Sequence, residues 1–118
     1  MSTVQIRNVT RGTILAARAS VAGSSAERRT GLLKHTEFLP GDGLWIVPCE
    51  CIHTFGMKFA IDVVFLTKKK KVLRVSPEMP KRRIALAIRA YSVVELPAGT
   101  LAQTGTLHGD QLILEKCA

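Results

Sequence analysis

The run Phe59-Ala60-Ile61-Asp62-Val63-Val64-Phe65-Leu66 constrains this chain more than any other stretch. Its Val, Ile and Phe content predicts a strand over 59–66. Side chains alternate along a strand, so Ile61, Val63 and Phe65 take one face and Asp62, Val64 and Leu66 the other. A lone carboxylate is costly to bury. Asp62 therefore has to be solvated, paired or protonated, and a site is expected close to it.

The rest of the chain reads as short segments punctuated by turns. Val4 to Val9 and Thr13 to Ala19 form a hairpin around Thr10-Arg11-Gly12. Ser24-Ser25-Ala26-Glu27 has capping-box spacing and opens a helix over 25–34, with Leu32 and Leu33 turned inward and Arg28, Arg29 and Lys34 outward. Leu44 to Val47 is a buried strand ending at Pro48, and residues 51–55 are extended up to a bend at Gly56. A lysine hairpin at 67–71 joins strand 59–66 to Val72-Leu73-Arg74-Val75, and 76–83 is a loop with two prolines. Ile84 to Ile88, Tyr91 to Leu96 and Gln111 to Glu115 complete the strands. A helical turn over 101–103 stops at Gly105. The expected fold is mainly β (α+β): a compact, barrel-like mixed sheet with two short helices, in a single domain over 1–118.

Composition narrows the class. At 118 residues, with 47% hydrophobic and 22% charged residues, the chain is an ordinary globular protein with a core of its own. No apolar run approaches the ~20 residues that span a bilayer, so no membrane partner is expected. The first residues lack the pattern of a signal peptide, which points to the cytoplasm. Three cysteines argue against a disulfide framework and for reduced thiols.

The net charge of +8 owes much to Lys68-Lys69-Lys70-Lys71 and Lys81-Arg82-Arg83. A polyanion would be attracted at low salt. Aromatic residues are not interleaved with either cluster, so both are read as solvated and a nucleic-acid partner is disfavoured.

Cys49, Cys51 and His53 resemble a metal set at alternate positions. Alternate strand residues lie ~6.6–6.8 Å apart, too far to converge on an ion with bonds of ~2.0–2.3 Å. No metal and no cofactor are expected. Cys51, His53 and Asp62 supply a thiol, a base and an orienter, but no glycine-flanked nucleophile turn accompanies them. A structural tie is the favoured role for Asp62, with Thr54, His53 and Arg74 as its local partners. Its functional role would be in a cleft roofed by Trp45 or Met57.

Several segments together carry a resemblance. Arg29-Thr30-Gly31-Leu32-Leu33, Gly43-Leu44-Trp45, His53-Thr54-Phe55-Gly56-Met57, Ile61-Asp62-Val63-Val64-Phe65-Leu66, Val94-Glu95-Leu96-Pro97-Ala98-Gly99-Thr100 and Gly109-Asp110-Gln111-Leu112 occur in this order. Over about 28–115 the chain resembles the family called domain of unknown function 192. The resemblance implies a small, mostly β fold and no established reaction. The commoner family pattern has Trp-Met-Lys-Asn-Thr where His53 to Met57 stand, proline at Ala60, and an acidic-glycine turn at 67–71.

The function expected is a non-catalytic binding or accessory module. Its site would be a polar cleft of Trp45, His53, Thr54, Met57, Asp62 and Arg74, taking a small polar ligand or a protein partner. A small hydrolase or metal-dependent enzyme using Cys51, His53 and Asp62 is the first alternative. A polyanion-binding protein is the second.

Overall fold

The computed structural model describes residues 2–33 and 35–117. Among these residues, nine strands and two short helices follow one another as β1 (Thr3–Asn8), β2 (Thr13–Ala22), α1 (Ser25–Thr30), β3 (Asp42–Ile46), β4 (Cys51–His53), β5 (Ile61–Leu66), β6 (Val72–Met79), β7 (Ile84–Leu86), β8 (Ser92–Pro97), α2 (Thr100–Thr104) and β9 (Leu112–Lys116). Seven strands make one mixed sheet in the order β6-β5-β8-β3-β2-β1-β9, and β4 pairs with β7 in a separate ribbon. Every pairing is antiparallel except β2 with β3.

The sheet curls until its outer strands meet at one end. Lys71 bridges Gln111, the Val72 amide donates to the Asp110 carbonyl and the Gly109 amide to the Val72 carbonyl. The expected barrel-like, mainly β architecture is the observed one. Alternation along the strands separates two apolar clusters. Val64 and Leu66 of β5 join Val94, Leu96, Ile6, Leu15 and Leu112 inside the curl, with Leu101 of α2. Ile61, Val63 and Phe65 join Val93, Leu44 and Ile46 on the outer face, beneath Leu32, Ile52, Met57 and Ala85. The β4–β7 ribbon and the segment after α1 thus serve as a lid over the outer face.

Three elements differ from expectation. The first helix ends at Thr30 rather than running through 34. Gly31 adopts φ +48° and its amide closes the last turn on the Glu27 carbonyl, so Leu32 reaches the core from irregular chain. Lys34 lies outside the described residues. Residues 76–79 continue β6 instead of forming a loop. Pro77 is accommodated because two residues there oppose Asp62 in a bulge, between the pairs Ile61–Met79 and Val63–Ser76. The third difference is β7, which stops at Leu86 and pairs outside the main sheet.

Candidate functional site

Ser24 opens α1 as the sequence anticipates. Its side chain accepts from the Glu27 amide at 3.1 Å while the Glu27 carboxylate accepts from the Ser24 amide at 3.0 Å. The helix is only six residues long, and it presents Arg28 and Arg29 in its last turn. Between it and the 46–57 segment lies a cavity of about 510 Å3. Leu32, Leu33, Ile46, Ile52 and Met57 supply apolar wall, and Arg28, Arg29, Cys49, Cys51 and His53 supply polar groups.

One further residue lines the cavity from the sheet itself. Along β8, Val93 and Glu95 point to the outer face while Val94 and Leu96 point into the curl. Glu95 is therefore set between Leu44 of β3 and Val63 of β5, both fully apolar neighbours. It is 4% exposed. Among the described residues, no amide or side chain donates a hydrogen bond to its carboxylate. Burial pushes its carboxyl up to about 7 from an ordinary 4.5.

Cys49 is half-buried beside it. Its thiol donates to the Cys51 carbonyl at 3.2 Å, and burial raises its pKa, with the nearby Glu95 charge adding to the rise and Arg28 opposing it. Cys49 therefore lies within electrostatic reach of both Glu95 and Arg28. The Arg28 guanidinium makes only long contacts, 3.5 Å to the Pro48 carbonyl and 3.4 Å to Ser25 Oγ. Among the described residues, Arg28 and Arg29 have no carboxylate partner, whereas Arg7 and Arg11 are paired with Glu115 and Asp110.

Of the six residues expected to form a cleft, His53 and Met57 line this cavity. The other four are elsewhere. Asp62 is fully buried on the inner side of β5, its Oδ1 accepting from the Glu78 amide and its Oδ2 from the Leu101 amide, each at 2.7 Å. Its partners are backbone amides rather than Thr54, His53 or Arg74. Thr54 is buried too, donating to the Pro80 carbonyl at 2.6 Å and accepting from the Arg83 amide at 2.8 Å. Arg74 lies over the Phe65 ring at 5.9 Å and donates to the Leu86 carbonyl. Trp45 faces the inner cluster, with Lys70 Nζ 5.7 Å from its ring. Adjacency in sequence had suggested convergence, but the strand alternation sends these side chains to opposite faces.

The same separation dissolves the thiol-based set. Cys51 and His53 are exposed on β4, and Asp62 is on the far side of the sheet. Cys49, Cys51 and Cys117 are free thiols. Among the described residues, no three His, Cys, Asp or Glu side chains come together as metal ligands.

Sequence reasoning missed Glu95 as a site residue. The signal was present, because Glu95 interrupts Val93-Val94-Glu95-Leu96 as Asp62 interrupts the strand at 61–66. A lone carboxylate in an apolar run is costly to bury at either position.

A family model described as DUF192, uncharacterized ACR, matches residues 6–114. No curated protein matches the chain. A protein of unknown function from Novosphingobium aromaticivorans DSM 12444 has a similar structure, with a TM-score of 0.80 and 21% identity over 94% of this chain and 83% of that one. A protein from Sinorhizobium meliloti 1021, described as a proposed transcription regulator, superposes with a TM-score of 0.83 and 18% identity over 96% of this chain and 92% of its own. At these identities the likeness is one of fold.

Proposed function

We propose, for a chain that belongs to the DUF192 family, that it is a non-catalytic binding module holding a small organic molecule in the cavity beneath α1. The observation that carries this reading is the Glu95 carboxyl, buried, aimed into the cavity and without a hydrogen-bond partner among the described residues. Holding a carboxyl in this apolar layer with no donor to offset its desolvation is costly. Asp62 and Thr54, by contrast, are satisfied by backbone partners, and Trp45 Nε1, on the opposite face of the sheet, is the fully buried side-chain atom without a partner among the described residues. Groups kept at a cost to stability commonly serve function. A cavity of about 510 Å3 is within the range that small ligands occupy.

A second reading has one specific support. A carboxyl near pKa 7 is suited to proton transfer. Binding is preferred because, among the described residues, no other chemical group is within hydrogen-bond reach of Glu95. Neither basic segment lines the cavity, and Lys68 rests over Tyr91 at 5.5 Å. Both segments are taken as solvated surface.

Methyl-detected NMR with a library of small acids, amides and amines tests the proposal. Binding should shift the Leu32, Ile52 and Met57 methyl signals together, and Glu95→Leu should weaken it at least about tenfold, the value of one hydrogen bond to a buried group. A library whose hits all perturb other surfaces, with these methyls unmoved, would overturn it.

A further inference from the structure

We infer that the ligand of this cavity is an organic anion with an apolar body and a hydrogen-bond acceptor, such as a carbonyl, at its far end. The anion lies against Arg28 and Arg29, and the acceptor takes the proton of Glu95. This rests on the reading of the cavity as a ligand site.

The charges in the cavity carry the inference. Among the described residues, Arg28, Arg29, Cys49, Cys51 and His53 are the titratable or charged groups that share it with Glu95, which is the sole acid of that lining. The chain as a whole carries +8. Arg28 and Arg29 have no carboxylate partner among the described residues, which leaves an anion-binding capacity at one end. The arginines stand on α1 and Glu95 on β8, so they reach the cavity from different elements. A ligand touching both ends must cross the apolar wall of Leu32, Ile46, Ile52 and Met57.

The polarity at the Glu95 end follows from proton inventory. A protonated carboxyl has one O–H to donate. A carbonyl accepts it with no net change of charge in the apolar layer. An ammonium group would require Glu95 to ionise there, and would share the cavity with two arginines.

Isothermal titration calorimetry at pH 6 with four probes tests this. They are 6-oxoheptanoate (anion and acceptor), heptanoate (anion alone), heptan-2-one (acceptor alone) and 6-aminohexanoate (anion and ammonium). We expect 6-oxoheptanoate to bind at least about tenfold tighter than each of the others, since each lost contact at a buried site is worth about a factor of ten. Its affinity should fall as the pH rises through 7. Glu95→Gln, whose amide still donates, should keep the preference for the ketone and abolish the pH dependence, while His53→Gln should leave that dependence in place. The Arg28→Gln, Arg29→Gln double variant should bring 6-oxoheptanoate down to the affinity of heptan-2-one.

Tightest binding of 6-aminohexanoate, with proton release seen as a buffer-dependent enthalpy, would overturn the inference. So would equal binding of heptan-2-one and 6-oxoheptanoate. In both cases, movement of the Leu32 and Ile52 methyls would show that the cavity reading survives. Binding of neutral or cationic molecules from the wider library at those methyls, with all four probes silent, also sinks the ligand class and spares the cavity. If no molecule moves those methyls, both fall together.

Discussion

The Leu101 amide and the Asp62 carboxylate, 39 residues apart, are joined by a hydrogen bond of 2.7 Å inside the protein. Gly99, at the N-cap of α2, has no side chain with which to cap the helix. Asp62 Oδ2 does so from β5, while its Oδ1 accepts the Glu78 amide that the β6 bulge leaves without a strand partner. One carboxylate thus holds two irregular backbone features to a central strand.

Removing it should be felt by the fold. Asp62→Ala leaves two amides unpaired, at about 1–3 kcal/mol each, and Asp62→Asn should cost less because it retains one acceptor oxygen. Urea unfolding of the two variants measures this. An alanine variant as stable as the parent would show that neither bond contributes.

Glu95 should make stability fall with rising pH. Its folded pKa of about 7 lies above the ordinary 4.5, so its contribution is fully present below about 4.5 and is lost as the pH rises through about 7. The rise from 4.5 to about 7 corresponds to about 3 kcal/mol between those limits. Denaturation at pH 5 and pH 8 should show this slope in the parent and a flattened one in Glu95→Gln.

Asp110 should act in the opposite sense. Its Oδ2 accepts from Arg11 Nε, Asn8 Nδ2 and the Leu107 amide, each at 3.0 Å. The Arg11 hydrogen bond is foremost in drawing its pKa down from 3.8 to about 2, against desolvation. The stability it confers is present above about 3.8 and lost as the pH falls through about 2. Asp110→Asn should be less stable at neutral pH and should lose less on acidification, as thermal melts between pH 2 and pH 6 would record.

Gly43 tests the packing of the parallel β2–β3 pair. A methyl group placed on it would come within 3.0 Å of Ala16 Cβ, 3.1 Å of Ala19 Cβ and 3.4 Å of Leu96 Cδ2. Two of these atoms are fixed to strand backbone and cannot swing away. Gly43→Ala should therefore destabilise by about 1–3 kcal/mol in urea unfolding, the usual range for overpacking a core.

The elements and their facing were legible in the chain. Alternation at 61–66 assigned Val63 and Asp62 to opposite faces, and the two apolar clusters honour that assignment. The Ser24–Glu27 box and the Gly105 stop were readable because capping is settled within a few residues. The short-range signal misled where a glycine ended a periodic pattern early, at Gly31, and where a bulge let β6 continue through Pro77.

What the sequence determined by itself is therefore local: strand periodicity, caps, turns, and the presence of two carboxylates within apolar runs. Which carboxylate was tied and which was left open depended on partners distant in the chain. Asp62 meets amides contributed by β6 and α2, whereas Glu95 faces the outer layer, where the Leu44 and Val63 side chains offer no hydrogen-bond donor. The two residues look alike in sequence because periodicity reports the face of a strand and not what packs against it. Only the tertiary fold, by laying α1 and the β4–β7 ribbon over one face and closing the curl over the other, made Asp62 a structural clasp and Glu95 the open end of a cavity.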